Sequence, residues 1–292
     1  MLKHLPFLCA AMLALAACGQ DNAGAPAAVT PTTAATTVAP AATATVTTTP
    51  TSATSAAPAA ASTTTPAAGS TVTTEPAPAP AAAPFVDTGK WIEGKHYFLI
   101  DPPQPTSHPG KIEVTEVFSY VCPACNQFHT TVDRIASTLP AGAVMNYVAA
   151  SFRPDENWPM YQRAFYAAQA LGVVGKTHDA MFDATWKSGE MATYELGAGK
   201  LKPHAAWPTI EDAAKFYAKF GVDPKEFVAV ANSFTVNTQM KRADDLIKAY
   251  GVDGTPTMIV NGKYRFGPST AGGYTQALEL TQWLVAKEAA GK

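Results

Sequence analysis

Aromatic residues are missing from one long stretch of this 292-residue chain, and charge is almost missing from the same stretch. Residues 8–84 contain no Phe, Tyr or Trp, and their only charged side chains are Asp21 and Glu75. Ala, Thr, Pro and Ser fill most of the other positions, so this stretch has too little bulky apolar surface to build a core. We therefore expect one folded domain, about 200 residues long, in the remainder of the chain.

An excess of positive charge is also missing. The chain has 21 Lys and Arg against 23 Asp and Glu, which gives a net charge of −2. Without a basic cluster, nothing in the sequence attracts nucleic-acid phosphates or an anionic lipid surface. We expect no nucleic-acid partner, and any membrane attachment must come from another feature.

The N-terminus supplies such a feature. Residues 5–17 form an apolar run that is too short to span a bilayer but suits the core of a signal peptide. The run ends in LAACG at residues 15–19, which resembles the lipobox of bacterial lipoproteins. We expect a signal peptide at 1–17 and a lipid on Cys18, with the protein in the periplasm and the outer membrane favoured for attachment. An ordinary signal peptide with an incidental Cys18 is the alternative.

The remaining chain divides into a linker and a domain. Residues 18–88 predict a lipid-anchored, disordered Ala/Thr/Pro linker, and residues 89–292 predict the folded domain. Within the domain the patterns predict an order of β-α-β, a helical block, a β-hairpin and a last helix. The predicted strands are 97–100, 112–120, 144–152, 257–260 and 264–266, and the predicted helices are 123–139, 161–171, 177–186, 210–220, 224–231, 236–250 and 274–289.

The cysteines point to chemistry. Cys9 would leave with the signal peptide and Cys18 would carry lipid, so the domain keeps only Cys122 and Cys125. A disulfide across two residues closes too short a loop to stabilise a fold. Zinc would need four ligands, but no second Cys pair exists and the histidines show no paired metal spacing, so we expect no metal. An inert buried pair is the other alternative.

Cys122 lies where a predicted strand ends and a predicted helix begins. The free N–H groups and positive dipole end of that helix favour a thiolate at its sulfur. Cys125, one turn later, faces inward and is close enough to attack a mixed disulfide at Cys122. This arrangement is typical of thiol–disulfide exchange.

Three segments resemble the DsbA family of thiol:disulfide oxidoreductases: 116–128 (EVFSYVCPACNQF), 231–234 (ANSF) and 254–264 (GTPTMIVNGKY). The resemblance implies an α/β thioredoxin-like fold with a helical domain inserted at about 154–252. It also implies an enzyme that introduces disulfide bonds into exported proteins, without a bound cofactor. Its partners would be reduced exported proteins and a DsbB-like membrane quinone reductase as reoxidant, and we expect a monomer.

The same resemblance assigns further site residues. It implies a cis peptide before Pro256, opposite the cysteines, where the backbone of Thr255 can pair with substrate. Pro123 and Ala124 complete the motif; the best-known members have Pro-His there, so the absent histidine places the reduction potential in question. We expect a potential intermediate between about −120 mV for DsbA and about −270 mV for thioredoxin.

Glu116 is unusual because strand alternation places it on the apolar face of its strand. We expect it to be buried, and the resemblance implies a role as proton exchanger for Cys125. An acid at a sheet edge that reaches water is the alternative. Met145 and Asn146 stand where better-known members have a lysine near this acid. His178 and His204 are expected on the surface, and residues 189–208 are extra length of unassigned purpose.

Two other functions remain open at the level of sequence. One is an anchored reductant or isomerase, although isomerases of this kind usually carry a folded dimerisation domain where this chain has a linker. The other is a non-catalytic lipoprotein that binds extended peptides.

Overall fold

The computed structural model describes residues 85–292, which all belong to one compact unit. The predicted signal peptide, Cys18 and the linker up to residue 84 lie outside the described residues. In the described part of the chain, no helix is both long enough and apolar enough to cross a membrane.

Five strands form a mixed sheet in the order β1-β7-β6-β2-β3. The central strand β2 is parallel to β3 and antiparallel to β6, and the edge strand β1 is antiparallel to β7. A separate two-stranded hairpin pairs β4 with β5. The bounds are β1 Phe98–Leu99, β2 Ile112–Phe118, β3 Ala143–Ala149, β4 Tyr194–Glu195, β5 Lys200–Leu201, β6 Thr257–Val260 and β7 Tyr264–Phe266.

Helices α2 to α6 form a block that is inserted in the chain between β3 and β6. Helices α1 and α8 pack against each other, and α8 also packs against β2 and β6. The helices are α1 Pro123–Thr138, α2 Trp158–Ala170, α3 Val174–Trp186, α4 Ile210–Ala218, α5 Pro224–Ala231, α6 Phe234–Ala249, α7 Pro268–Ala271 and α8 Tyr274–Ala289, with short 3-10 turns at Pro154–Glu156 and His204–Ala206.

Strand β2 contributes to two hydrophobic clusters. Val114 packs with α1 and α8 residues such as Phe128 and Leu284, whereas Phe118 packs with Phe165 and Phe182 of the helical block. Every β2 residue after Ile112 is buried. A charged side chain on this strand is therefore buried whichever face it occupies.

The fold follows the predicted order, with differences at several boundaries. β2 ends at Phe118 instead of residue 120, because the chain turns there and the Cys122 N–H donates to the Ser119 carbonyl oxygen at 3.1 Å. β3 also ends earlier than predicted, at Ala149. Helix α7 and the β4–β5 hairpin were not predicted, and the hairpin occupies part of the region 189–208, to which no purpose was assigned.

Candidate active site at the Cys-Pro-Ala-Cys motif

The first cysteine of the motif caps helix α1. The Cys122 backbone is extended (φ −79°, ψ 118°), and its Sγ accepts a hydrogen bond from the Cys125 N–H at 3.3 Å. Pro123 occupies the first helical position, where its missing N–H costs nothing. The sulfur thus stands where a serine or threonine oxygen usually caps a helix.

The surroundings of Cys122 favour its thiolate. Its pKa is lowered to about 6, chiefly by a hydrogen bond from the Cys125 side chain, then by the Thr255 side chain and by the N–H groups of Cys125 and Ala124, while burial opposes the shift. The helix start was the predicted cause of the low pKa, but the thiol of Cys125 contributes more. Cys122 is only 5% exposed, so a substrate can reach its sulfur over a small area.

The two thiols differ in their tendency to ionise. Cys125 is fully buried, and burial, followed by the hydrogen bond with Cys122, raises its pKa well above the ordinary range. Both cysteines are free thiols here, which is the reduced form of the pair. Cys122 therefore ionises first and Cys125 keeps its proton.

Glu116 on β2 is fully buried, as the strand pattern predicted, so the alternative of an acid that reaches water is wrong. Neither carboxylate oxygen has a hydrogen-bond partner among the described residues. Burial raises its pKa well above the usual range, and negative charge at Cys122 and then at Asp133 raises it further. At this position the protein holds a carboxyl group that favours its protonated form.

A second buried acid on β2, Glu113, was not singled out by the sequence analysis. Its carboxylate accepts from the Ser107 N–H at 2.9 Å, the Thr115 hydroxyl at 3.1 Å and the Asn146 amide at 3.3 Å, and it pairs with His108 Nδ1 at 2.6 Å. Glu113 is therefore fully partnered. Asn146, one of the two residues that stand in place of the lysine of better-known members, donates to Glu113 and not to Glu116.

The loop before β6 approaches the motif from the opposite side. The Thr255–Pro256 peptide is cis, as the resemblance implied, and the Thr255 carbonyl oxygen lies 3.6 Å from Cys122 Sγ. Thr255, Pro256 and Ala124 line a groove of about 510 Å³, which Arg265 and Tyr274 also border. The structure brings together Cys122, Cys125, Thr255 and Pro256, with Glu116 close enough to respond to charge on Cys122.

The predicted surface position of His178 is wrong. The side chain is buried against Phe118 of β2 and hydrogen-bonds through Nδ1 with the Tyr120 hydroxyl at 2.9 Å. Burial lowers the pKa of His178 to about 3, so the ring is neutral. His178 shares one face of α3 with Met181 and Phe182, three and four residues further on, and this face packs against Phe118 of β2. That helical spacing is the signal that could have identified His178 as buried. His204 is exposed, as predicted.

A thioredoxin fold with paired cysteines at the start of a helix defines a thiol:disulfide oxidoreductase. The thioredoxin family model matches residues 109–279. The chain is 38% identical over 197 residues to thiol:disulfide interchange protein DsbA of Pseudomonas aeruginosa, which covers 68% of this chain and 85% of that protein. It is 36% identical over 195 residues to the DsbA of Azotobacter vinelandii, covering 67% and 83%.

Solved structures agree. The crystal structure of Pseudomonas aeruginosa DsbA matches with a TM-score of 0.59 and 36% identity, over 70% of this chain and 97% of that one. The chain belongs to the DsbA family and is a thiol:disulfide oxidoreductase that oxidises substrate cysteines. The reductant or isomerase and the non-catalytic binder are not favoured by these relatives.

Proposed function

We propose that this protein introduces disulfide bonds into exported proteins in the periplasm, with Cys122 as the sulfur that meets substrate and Cys125 as its buried partner. The observation that supports these roles is the opposite direction of their pKa shifts. Cys122 has a pKa of about 6, whereas burial raises that of Cys125. A low-pKa thiolate is a good leaving group, and an enzyme whose reduced form is stabilised is an oxidant.

The reaction has two exchanges. A substrate thiolate attacks Sγ of Cys122 in the oxidised pair, the Cys122–Cys125 bond breaks, and the electron pair leaves on Cys125. A second substrate thiolate then attacks the substrate sulfur of the mixed disulfide, and Cys122 leaves as a thiolate. Two electrons pass from substrate to enzyme, and the substrate gains one disulfide.

Glu116 supplies a proton to Cys125 when that sulfur leaves. The Glu116 carboxyl has no hydrogen-bond partner among the described residues, and its raised pKa keeps it protonated. A proton is therefore available near Cys125, whose own raised pKa favours the thiol over the thiolate. When the pair is oxidised again, the carboxylate can take the proton back. A group with this task needs a pKa nearer neutrality than an ordinary carboxyl has.

Thr255 and Pro256 hold the substrate. The groove they line runs beside the motif, and an extended peptide there could pair with the Thr255 backbone while its cysteine faces Cys122. Pro123 fixes the first turn of α1, and Ala124 borders the groove without adding a polar group.

A DsbB-like quinone reductase in the membrane reoxidises the pair, and the protein needs no bound cofactor and acts as a monomer. Lipid on Cys18 anchors it, with residues 18–88 as the tether to the domain. Cys18→Ser should abolish lipid labelling and release the chain to the soluble fraction; a variant that stays membrane-bound would remove the anchor from this proposal.

Thiol trapping in cells tests the oxidase role. We expect Cys122 and Cys125 to be mostly oxidised. In Cys125→Ser the Cys122 thiolate can still attack a disulfide of an exported protein, and one sulfur of that disulfide leaves as a thiolate. The resulting mixed disulfide should accumulate, because no Cys125 thiol remains to displace the bound protein. Cys122→Ser, the matched control, should trap none. A pair that is mostly reduced in cells would instead support a reductant.

A further inference from the structure

A cluster of three ionisable side chains lies between α1 and α3, outside the substrate groove. His129 Nε2 is 3.3 Å from Asp179 Oδ1 and 3.8 Å from Asp133 Oδ2. One ligand atom from each residue lies within 4.8 Å of the other two. Residues 129 and 133 are one turn apart on α1, and Asp179 comes from the helical block.

The histidine of this cluster has no hydrogen bond. Its side chain is nine-tenths buried, and neither ring nitrogen has a hydrogen-bond partner among the described residues. The ring stacks on Phe182 with centroids 4.3 Å apart, which fixes its plane, and Nε2 is the ring nitrogen that lies beside the two carboxylates. Buried polar groups usually form hydrogen bonds, whereas this imidazole has carboxylate oxygens near Nε2 and a hydrogen bond to neither of them.

The spacing matches the requirements of a metal. Ligand atoms about 2.0–2.2 Å from a tetrahedral zinc ion lie roughly 3.4 Å from one another. The His129–Asp179 distance already has this value, and the Asp133 side chain, which is 45% exposed, is free to close the remaining gap. We propose that His129, Asp133 and Asp179 bind a zinc ion, with water in the fourth position.

The ligand types favour zinc over the common hard cations. Calcium takes six to eight oxygen ligands and magnesium keeps an octahedral oxygen shell, whereas zinc binds imidazole and carboxylates at low coordination number. The two carboxylates also gain from a cation, because each raises the energy of charge on the other, and the pKa of Asp133 is raised by burial and then by Asp179 against the opposing effect of His129. Spacing along the sequence reveals Cys and His pairs, but it does not reveal a ligand that a separate helix supplies.

The ion would connect the helix that begins at Cys122 to the helical block. Binding should therefore stabilise the fold as well as occupy the site, since a ligand that binds only the native state raises its stability. Asp179 is 76% exposed, so it can be changed with little risk to folding.

Zinc titration of the oxidised full chain, with its remaining thiols alkylated, tests the proposal because no cysteine can then bind the metal. Isothermal titration calorimetry should show one zinc ion per chain. Asp179→Asn and His129→Gln should each weaken binding at least about tenfold, since even loss of an outer-shell partner commonly costs that much. The matched control is Asp183→Asn, one turn further along α3, whose carboxylate pairs with Lys187 instead.

The melting temperature gives a second readout. Zinc should raise it for the wild type and for Asp183→Asn, and not for Asp179→Asn, whose melt without zinc shows that it is folded. Absence of saturable zinc binding by the wild type, or equal binding by Asp179→Asn and the wild type, would overturn the proposal.

Discussion

Strand β2 contains two buried glutamates three residues apart, Glu113 and Glu116, which differ in their hydrogen-bond partners. Glu113 has four hydrogen-bonding partners, including His108 at 2.6 Å, whereas Glu116 has none among the described residues. The first carboxylate fastens the segment before β2 to the sheet. The second lies near two thiols and holds its proton more tightly than an ordinary carboxyl group.

Burial alone therefore does not identify a carboxyl group that takes part in catalysis. A buried carboxylate whose lone pairs are satisfied is part of the structure, and its replacement should cost stability. A buried carboxyl group without partners lowers the stability of the fold, so its presence points to a role in function. The two residues therefore predict opposite outcomes for the same substitution.

The largest expected effect is on stability. Glu113→Gln should lower the free energy of unfolding by about 2–3 kcal/mol, because the amide NH₂ faces donors from Ser107 and His108. Urea denaturation of the oxidised protein measures this. A loss below about 0.5 kcal/mol would contradict the structural role of Glu113.

Glu116→Gln serves as the reciprocal variant and should raise stability at pH 7. A group whose folded-state pKa is raised contributes stability below its unfolded pKa and loses it as the pH rises through the folded pKa. The amide does not titrate, so the gain should disappear below about pH 4, where the acid is protonated in both states. A variant that is less stable than the wild type at pH 7 would mean that Glu116 has a partner.

The next effect is on rate. Glu116→Gln should slow reduction of the Cys122–Cys125 disulfide by a substrate thiol about tenfold, a change of about 1.4 kcal/mol in the barrier. Stopped-flow fluorescence between about pH 5 and 8 measures it. Glu113→Gln should react at the wild-type rate, and equal slowing by both variants would indicate a general disturbance of β2.

A smaller effect is expected at Cys122 itself. Ala124→His should lower the pKa of Cys122 below about 6 and raise the reduction potential by up to about 30 mV, because an imidazole could donate to the sulfur. Equilibration with glutathione and thiolate absorbance against pH measure both quantities. The wild type should lie between about −270 and −120 mV, and an unchanged potential in the variant would show that the dipeptide does not set it.

The smallest effect is on the pH dependence of the potential. In Glu116→Gln, reduction takes up two protons below the Cys122 pKa of about 6 and one above it, so the slope should change from about 60 to about 30 mV per pH unit. The wild type should be steeper than this variant above pH 6, because the thiolate on Cys122 raises the pKa of Glu116 and draws in further protons. Glu113→Gln should have the same slope as the wild type. Identical slopes in all three proteins would show that the protonation of Glu116 does not depend on the redox state of the two cysteines.

Much of this fold could be predicted from local sequence signals. The bounds of α5, β6, β7 and α8 agree with prediction because each carries a strong signal, such as Pro224 after a capping Asp223 or the turn at Asn261 and Gly262. Helix α7 was missed because four residues are too short for a period to show. The β4–β5 hairpin was missed for the same reason, since each of its strands has two residues.

The candidate site was predictable where a motif or an alternation carried it. Cys122, Cys125 and Pro256 came from motifs, and Glu116 came from the pattern of β2. Glu113 was missed because alternation assigns it to the opposite, polar face, and only the packed structure shows that both faces of β2 are covered. The surface position predicted for His178 was wrong although a local pattern was present, since Met181 and Phe182 share its helix face and indicate a buried position.

Titration of the Glu116 side chain in the two redox states tests the central claim most directly. Carbon-13 NMR of the labelled carboxyl, assigned by its loss in Glu116→Gln, follows its midpoint in the reduced and the oxidised protein. We predict a midpoint well above the usual carboxyl value, and a higher one in the reduced protein, where charge on Cys122 opposes a second negative charge. A midpoint near 4.3, or the same midpoint in both redox states, would contradict a role for Glu116 in the proton traffic of the dithiol.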